Sequence, residues 1–314
     1  MQIHVVALPM RAPFRGITVR EAVLLRGPAG WAEFSPFIEY GDAEAATWLA
    51  AAREAATEPW PGPVREQVPV NATVPALPAA AAAELVRRSG CTTAKVKVAE
   101  PGQELGQDVE RVAAVRDALG PDGRIRIDAN AGWSVENAVP AIRALDAAAG
   151  GLEYVEQPCP SVEELAECRR RVGVPIAADE SIRKAEDPLR VQVAGAADIA
   201  VIKVAPLGGV RRALRVAEAC GLPCVVSSAI DTSVGLAAGI ALAARLPRLP
   251  YACGLGTATM FPADVTAQPL RPVAGMVPVR RVEPDPQRLA ELAAPPDRDR
   301  WWRERLARCA ALLP

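Results

Sequence analysis

A chain of 314 residues with half its residues hydrophobic and 23% charged has ample material for a large core, which excludes an intrinsically disordered protein. Its formal net charge is −1, with both signs interspersed, so no whole-body attraction to nucleic acid or anionic membrane is expected. Apolar runs fall far short of the ~20 residues that span a bilayer. The start, Met1-Gln2-Ile3-His4, lacks the basic and apolar regions of a signal peptide. Seven scattered cysteines, odd in number and without a C-x-x-C pair, read as small buried hydrophobes in a reduced cytosol, so a cytoplasmic location is expected.

In chain order, Gln2 to Leu8 and Ile17 to Leu25 read as strands joined by a loop over Pro9 to Gly16. Gly30-Trp31-Ala32-Glu33 resumes a strand, and the Ala-rich stretch 43–56 reads as a helix. The run Pro59-Trp60-Pro61-Gly62-Pro63 breaks the pattern and marks a domain boundary, leaving an α+β segment over 1–63. Beyond it the pattern alternates βα across 64–260. Strands are expected at 68–74, 93–98, 124–128, 152–156, 175–179, 199–204, 224–228 and 251–255. Helices are expected near 78–89, 107–119, 134–148, 162–171, 188–193, 210–220 and 233–245. Eight such units favour a closed β/α barrel over an open sheet. A Pro-rich tail over 261–314, ending in a helix near 300–313, is expected to pack back on the first segment or the barrel, with Trp301 and Trp302 as its anchor.

Strand-like segments of this barrel end on Lys95-Val96-Lys97, Asp128-Ala129-Asn130, Glu156-Gln157-Pro158, Asp179-Glu180-Ser181 and Lys203. From Asp128 onward the spacing is 28, 23 and 24 residues, about one βα unit each. The C-terminal strand ends are where a β/α barrel builds its active site. Three carboxylates converging there repel one another, and a hard divalent cation resolves the conflict. All-oxygen ligation by Asp128, Glu156 and Asp179 suits Mg²⁺, with Mn²⁺ as its substitute. Lys95 and Lys97 point to one side of their strand by the period of two, and Lys203 approaches from the opposite arc. A free lysine titrates near ~10.4, but neighbouring cations and desolvation favour the neutral amine a base requires. Such a lysine can remove a proton α to a carboxylate while the metal stabilises the enediolate. His4 is the only histidine, so mechanisms that need a histidine base or a histidine-rich zinc site are disfavoured.

These five motifs resemble the enolase superfamily, and within it the muconate lactonising subgroup, over essentially the whole chain. The resemblance implies a modified (β/α)7β TIM barrel under an N-terminal α+β cap. It implies Asp128, Glu156 and Asp179 as metal ligands, Lys97 and Lys203 as acid/base groups on opposite faces of a small carboxylate substrate, and Lys95, Asn130 and Glu180 in support. The absence of a second histidine removes the catalyst of mandelate-racemase-like enzymes. The eighth-strand sequence Ala252-Cys253-Gly254-Leu255-Gly256-Thr257 lacks the Asp-x-Asp pair of dipeptide epimerases. With Phe261 and Asp264 it looks like the same region of the o-succinylbenzoate synthases, Mg-dependent dehydratases of menaquinone biosynthesis. N-acylamino-acid racemases and dipeptide epimerases are the alternative. Gly254 and Gly256 are expected to offer backbone N–H groups to an anion, and Arg15, Ser227 and Ser228 to contact substrate.

Overall fold

In the computed structural model, residues 2–183, 191–192 and 194–314 are described. The chain opens with an antiparallel sheet of three strands, β1 (Gln2–Phe14), β2 (Ile17–Gly27) and β3 (Gly30–Phe34), followed by a helix over Asp42–Thr57. The expected Pro9–Gly16 loop is instead strand as far as Phe14, and the turn shrinks to Arg15-Gly16, both at positive φ. β1 is an edge strand with a register shift between Pro9 and Phe14, the setting in which a strand tolerates proline.

The expected strand 68–74 divides in two. β4 (Gln67–Pro69) pairs antiparallel with the tail strand β12 (Met276–Pro278), and β5 (Ala72–Val74) enters the main sheet. That sheet is parallel and runs β5, β6 (Thr93–Lys97), β7 (Arg124–Asp128), β8 (Tyr154–Glu156), β9 (Ile176–Ala178), β10 (Ile199–Ile202), β11 (Cys224–Val226), in strict chain order. Helices between the strands carry expected start signals. Ser134 and Ser161 both accept bonds from the backbone N–H three residues on, and Glu164 completes a capping box with Ser161. The expected helix 188–193 lies largely outside the described residues.

No eighth strand forms over 251–255. Two parallel bridges do its work, Cys253 to Val70 and Gly254 to Ser227, so the sheet's two edges meet through a pair of residues. Gly254 is required there, because a Cβ would lie 2.5 Å from Ser227 Oγ. A fold of this kind places the C-terminal ends of β5–β11 in one ring.

The tail returns to the first sheet. Ala7 N–H donates to Leu292 O and Ala294 N–H to Val5 O. Trp302, fully buried on the helix Pro296–Ala311, donates its indole N–H to Glu21 at 2.8 Å. All seven cysteines are free and buried. No described helix is long and apolar enough to cross a membrane.

Candidate active site

The register of the parallel sheet puts charged groups side by side. Lys97 is the Cα partner of Asp128, and Asp128 is the partner of Glu156. Asp179 and Lys203 follow β9 and β10 directly. All five lie at the same end of the barrel; Lys97 is buried, Asp128, Glu156 and Asp179 almost completely so, and Lys203 is partly buried.

The ammonium groups stand between the carboxylates. Lys95 Nζ is 2.5 Å from Glu156 Oε1 and 2.9 Å from Asp128 Oδ2. Lys97 Nζ is 2.6 Å from Asp128 Oδ2 and also donates to Asn130 Oδ1. Lys203 Nζ is 2.5 Å from Asp179 Oδ2. Asn130 reaches Glu180 Oε1 at 3.5 Å. Among the described residues, no three carboxylates close on a single point. The donor set nonetheless fits a hard cation: it is all oxygen, buried, anionic, and already draws a positive charge between Asp128 and Glu156.

The fields follow from this packing. Burial works against the Asp128 charge, but Lys95 and Lys97 outweigh it and hold Asp128 well below the usual carboxylate range. Burial and the Asp128 charge push Glu156 up to about 7, against the pull of Lys95. Burial also opposes the Lys95 charge, yet Asp128 and Glu156 hold that amine well above its ordinary value. For Lys97 burial prevails: its pKa is lowered, with Asp128 opposing and Lys95 reinforcing the shift. Two lysines two residues apart are thus driven in opposite directions.

Neighbouring residues fix the strand ends. Asp108 accepts from the Ala99 N–H at 2.9 Å and pairs with Arg111, which donates to Lys97 O at 3.0 Å. The Gln157 side chain accepts from Asp179 N–H at 3.0 Å and donates to Ser181 Oγ at 2.8 Å. Ala99, Asn130, Gln157 and Ile230, each just beyond a strand end, have φ between +39° and +60°. Backbone strain of this kind concentrates at functional sites.

Lys97 and Lys203 face one cleft, whose walls include Lys95, Asp128 and Asn130. Arg15, Ser227, Ser228 and Gly254 also line it. Arg15 stacks on Phe37 at 4.4 Å and reaches Tyr40 Oη at 3.5 Å. Two expectations need correction. The Gly254 N–H is committed to Val226 O at 2.8 Å, so it is not free for an anion. Gly256 is absent from the cleft wall; a Cβ there would lie 2.8 Å from Asn71 O, so this glycine serves packing.

Phe14, Phe37, Tyr40 and Thr73 are also part of the wall without having been singled out in the sequence. Phe14 adjoins Arg15, and Lys97 Nζ sits 5.1 Å from its ring centre, but only the fold brings the two together. His4 sits on β1, bonded to Gln2 and 5.7 Å from the Trp31 ring, away from this cleft.

Comparison with known proteins agrees with this architecture. A family model described as Enolase C-terminal domain-like matches residues 78–285, and one described as Enolase N-terminal domain-like matches 5–56. The chain is 65% identical to a protein of Thermobifida fusca (strain YX) named o-succinylbenzoate synthase, over 97% of this chain and 95% of that one. It is 59% identical to a Mycolicibacterium smegmatis protein of the same name, over 99% and 96%. Among solved structures, the muconate lactonizing enzyme from Pseudomonas fluorescens, complexed with muconolactone, superposes with a TM-score of 0.80 at 23% identity, covering 93% of this chain and 98% of that one. The L-Ala-D/L-Glu epimerase from Bacillus subtilis gives 0.72 at 24%, covering 88% and 94%. At such identities these two structures share the fold alone. The family models and the high-identity relatives carry more: this chain is an enzyme, and it belongs to the enolase superfamily.

Proposed function

We propose that this enzyme is an o-succinylbenzoate synthase, a carbon–oxygen lyase of menaquinone biosynthesis. It would dehydrate 2-succinyl-6-hydroxy-2,4-cyclohexadiene-1-carboxylate to 2-succinylbenzoate. The 65% identity to the Thermobifida fusca protein of that name carries the reading. In it, residues 64–260 form the catalytic barrel, and residues 1–63 with 261–314 form the cap and its support.

Asp128, Glu156 and Asp179 would hold Mg²⁺ (or Mn²⁺). The bound metal supplies electrostatic stabilisation of the negative charge that develops on the substrate carboxylate. Lys97, whose burial favours its neutral amine, removes the proton on the ring carbon bearing that carboxylate. The 6-hydroxyl leaves as water with the proton Lys97 has taken, and the ring becomes aromatic. One lysine acting as base and then acid makes the elimination syn. Lys203 lines the cleft four strands away from Lys97 and presents a cation to the opposite face of the ring. Lys95 and Asn130 hold the charges beside the substrate carboxylate, and Glu180 steadies Asn130.

The test is ultraviolet absorbance of the purified enzyme with Mg²⁺ and the cyclohexadiene, beside Lys97→Ala and an EDTA control. Metal-dependent loss of the diene band, absent in the variant, is the expected result. No turnover by the wild type in the presence of Mg²⁺ would overturn the reading. Deuterium exchange into a chiral N-acylamino acid would then move the function to racemisation, a use for two opposed lysines.

A further inference from the structure

The cleft wall beyond β11 is held in place from the N-terminal sheet. Residues 227–230 line the cleft, and Ile230 has φ +60°. A β-branched side chain in the left-handed region is an outlier that persists only where surrounding contacts over-determine it. Arg20, on β2 and 3% exposed, supplies those contacts. Its Nε donates to Ile230 O at 3.1 Å, and its Nη2 donates to Ala229 O at 3.2 Å and to Ser35 O. Its guanidinium lies 4.6 Å from the centre of the Phe37 ring, the same ring that carries Arg15 in the cleft.

A second strand of the same sheet holds the chain just beyond. Glu33 on β3 accepts from Thr232 N–H at 3.1 Å, Thr232 Oγ1 at 2.5 Å and Gly235 N–H at 3.1 Å. Gly235 permits that approach, since a Cβ there would lie 2.8 Å from Glu33 Oε2. Carbonyls of 229 and 230 therefore go to a guanidinium, and amides of 232 and 235 to a carboxyl group. The segment is gripped through its backbone at both ends of the strained residue. A second pocket, bordered by Glu33, Asp231 and Lys203, adjoins the segment.

We propose that Arg20 is a positioning residue for the active site: its guanidinium holds the 227–230 wall in the strained conformation that shapes the cleft for substrate. This rests on the cleft being the active site proposed above. Arg20 touches no reacting atom, so its loss acts on binding through the wall.

The experiment compares wild type, Arg20→Met, Arg20→Lys, Ile230→Gly and the double variant Arg20→Met/Ile230→Gly. The readouts are KM and kcat for the cyclohexadiene and hydrogen–deuterium exchange over residues 227–235. Arg20→Met is expected to raise KM about tenfold or more with a smaller change in kcat, and to speed exchange over 227–235. Arg20→Lys, one donor in place of a fork, is expected to recover part of the KM. Glycine adopts φ +60° without strain, so the double variant is expected to hold the wall unaided and to bind better than Arg20→Met alone. A lowered melting temperature with KM and exchange unchanged would overturn the proposal, and so would a double variant no better than Arg20→Met. If the wild type leaves the cyclohexadiene untouched, the functional reading fails instead; the exchange data still decide whether Arg20 holds the wall.

Discussion

Lys97 Nζ lies 2.6 Å from Asp128 Oδ2, and the two residues are register partners on adjacent parallel strands. The proposed base and a proposed metal ligand therefore share a contact that only one cation can dominate. A divalent ion held at Asp128 would take over the charge balancing that Lys97 and Lys95 provide there.

Metal binding should consequently stabilise the fold and depend on Asp128. With Mg²⁺ at a hundred times its dissociation constant, linkage predicts about 2.7 kcal/mol of added stability. Thermal unfolding with and without Mg²⁺ should show an upward shift in the wild type, reversed by EDTA and lost in Asp128→Asn. An equal shift in both proteins would place the ion elsewhere.

Lys97→Ala should lose at least the 10²–10⁴-fold that a positioned acid/base group contributes, while the variant stays folded and still binds Mg²⁺. Lys203→Ala should lose activity as well, through the missing cation on the opposite face. Stopped-flow absorbance of the diene band measures both. An active Lys97→Ala enzyme would refute the syn mechanism.

The polar strand ends were legible in the sequence because side chains that barrel cores do not tolerate recur at one position of each βα unit. The sheet register then makes Lys97, Asp128 and Glu156 direct partners, which alternation along single strands does not fix. Local chemistry decides such features. β1 was misread because prolines at 9 and 13 normally signal a loop, and only its edge position and bulge admit them. The eighth strand was overread: Gly254 and Gly256 meet neighbouring segments so closely that pairing is confined to Cys253 and Gly254. Arg20 and Glu33 gave no signal at all. Their partners lie about two hundred residues away, and a charged residue on an antiparallel strand reads as solvent-facing until the barrel covers it.

The grip on the barrel loop carries a pH dependence. Burial and the neighbouring Asp231 charge push Glu33 up to about 7, despite its hydrogen bonds from Thr232 and Ser35 and the nearby Arg20. Asp231 is raised as well, chiefly by burial, with Arg20 and Lys203 opposing. A carboxyl whose folded pKa lies above its unfolded value binds more protons in the folded state. Its stabilising contribution is then complete below about pH 4.3 and is lost as pH rises through about 7. Asp231→Asn removes one of the two like charges and should flatten that loss. Urea unfolding between pH 5 and 8 should give a smaller decline for the variant, by about 1–2 kcal/mol. Parallel declines would show that the two acids do not interact.

Arg126 makes a prediction confined to stability. It lies on β7 two residues before Asp128, hence on the same face, and is completely buried inside the barrel. Its Nη1 donates to Tyr154 Oη at 2.9 Å and to Ala252 O at 2.7 Å, its Nη2 pairs with Glu153, and its guanidinium stacks on the Tyr154 ring. The Ala252 bond matters most for the fold, because the barrel's closing segment has only two bridges of its own. Arg126→Met leaves Glu153 with Arg124 at 3.1 Å, so the acid is not stranded, but Ala252 O loses its buried donor. Removing one partner of a buried pair costs about 3–5 kcal/mol, and the remaining contact with Arg124 puts the expected loss at the lower end. Urea unfolding should register that loss while KM for the cyclohexadiene changes less than twofold. An unaltered unfolding midpoint would mean that the closure holds without Arg126, and a large rise in KM would mean that the barrel floor shapes the cleft as well.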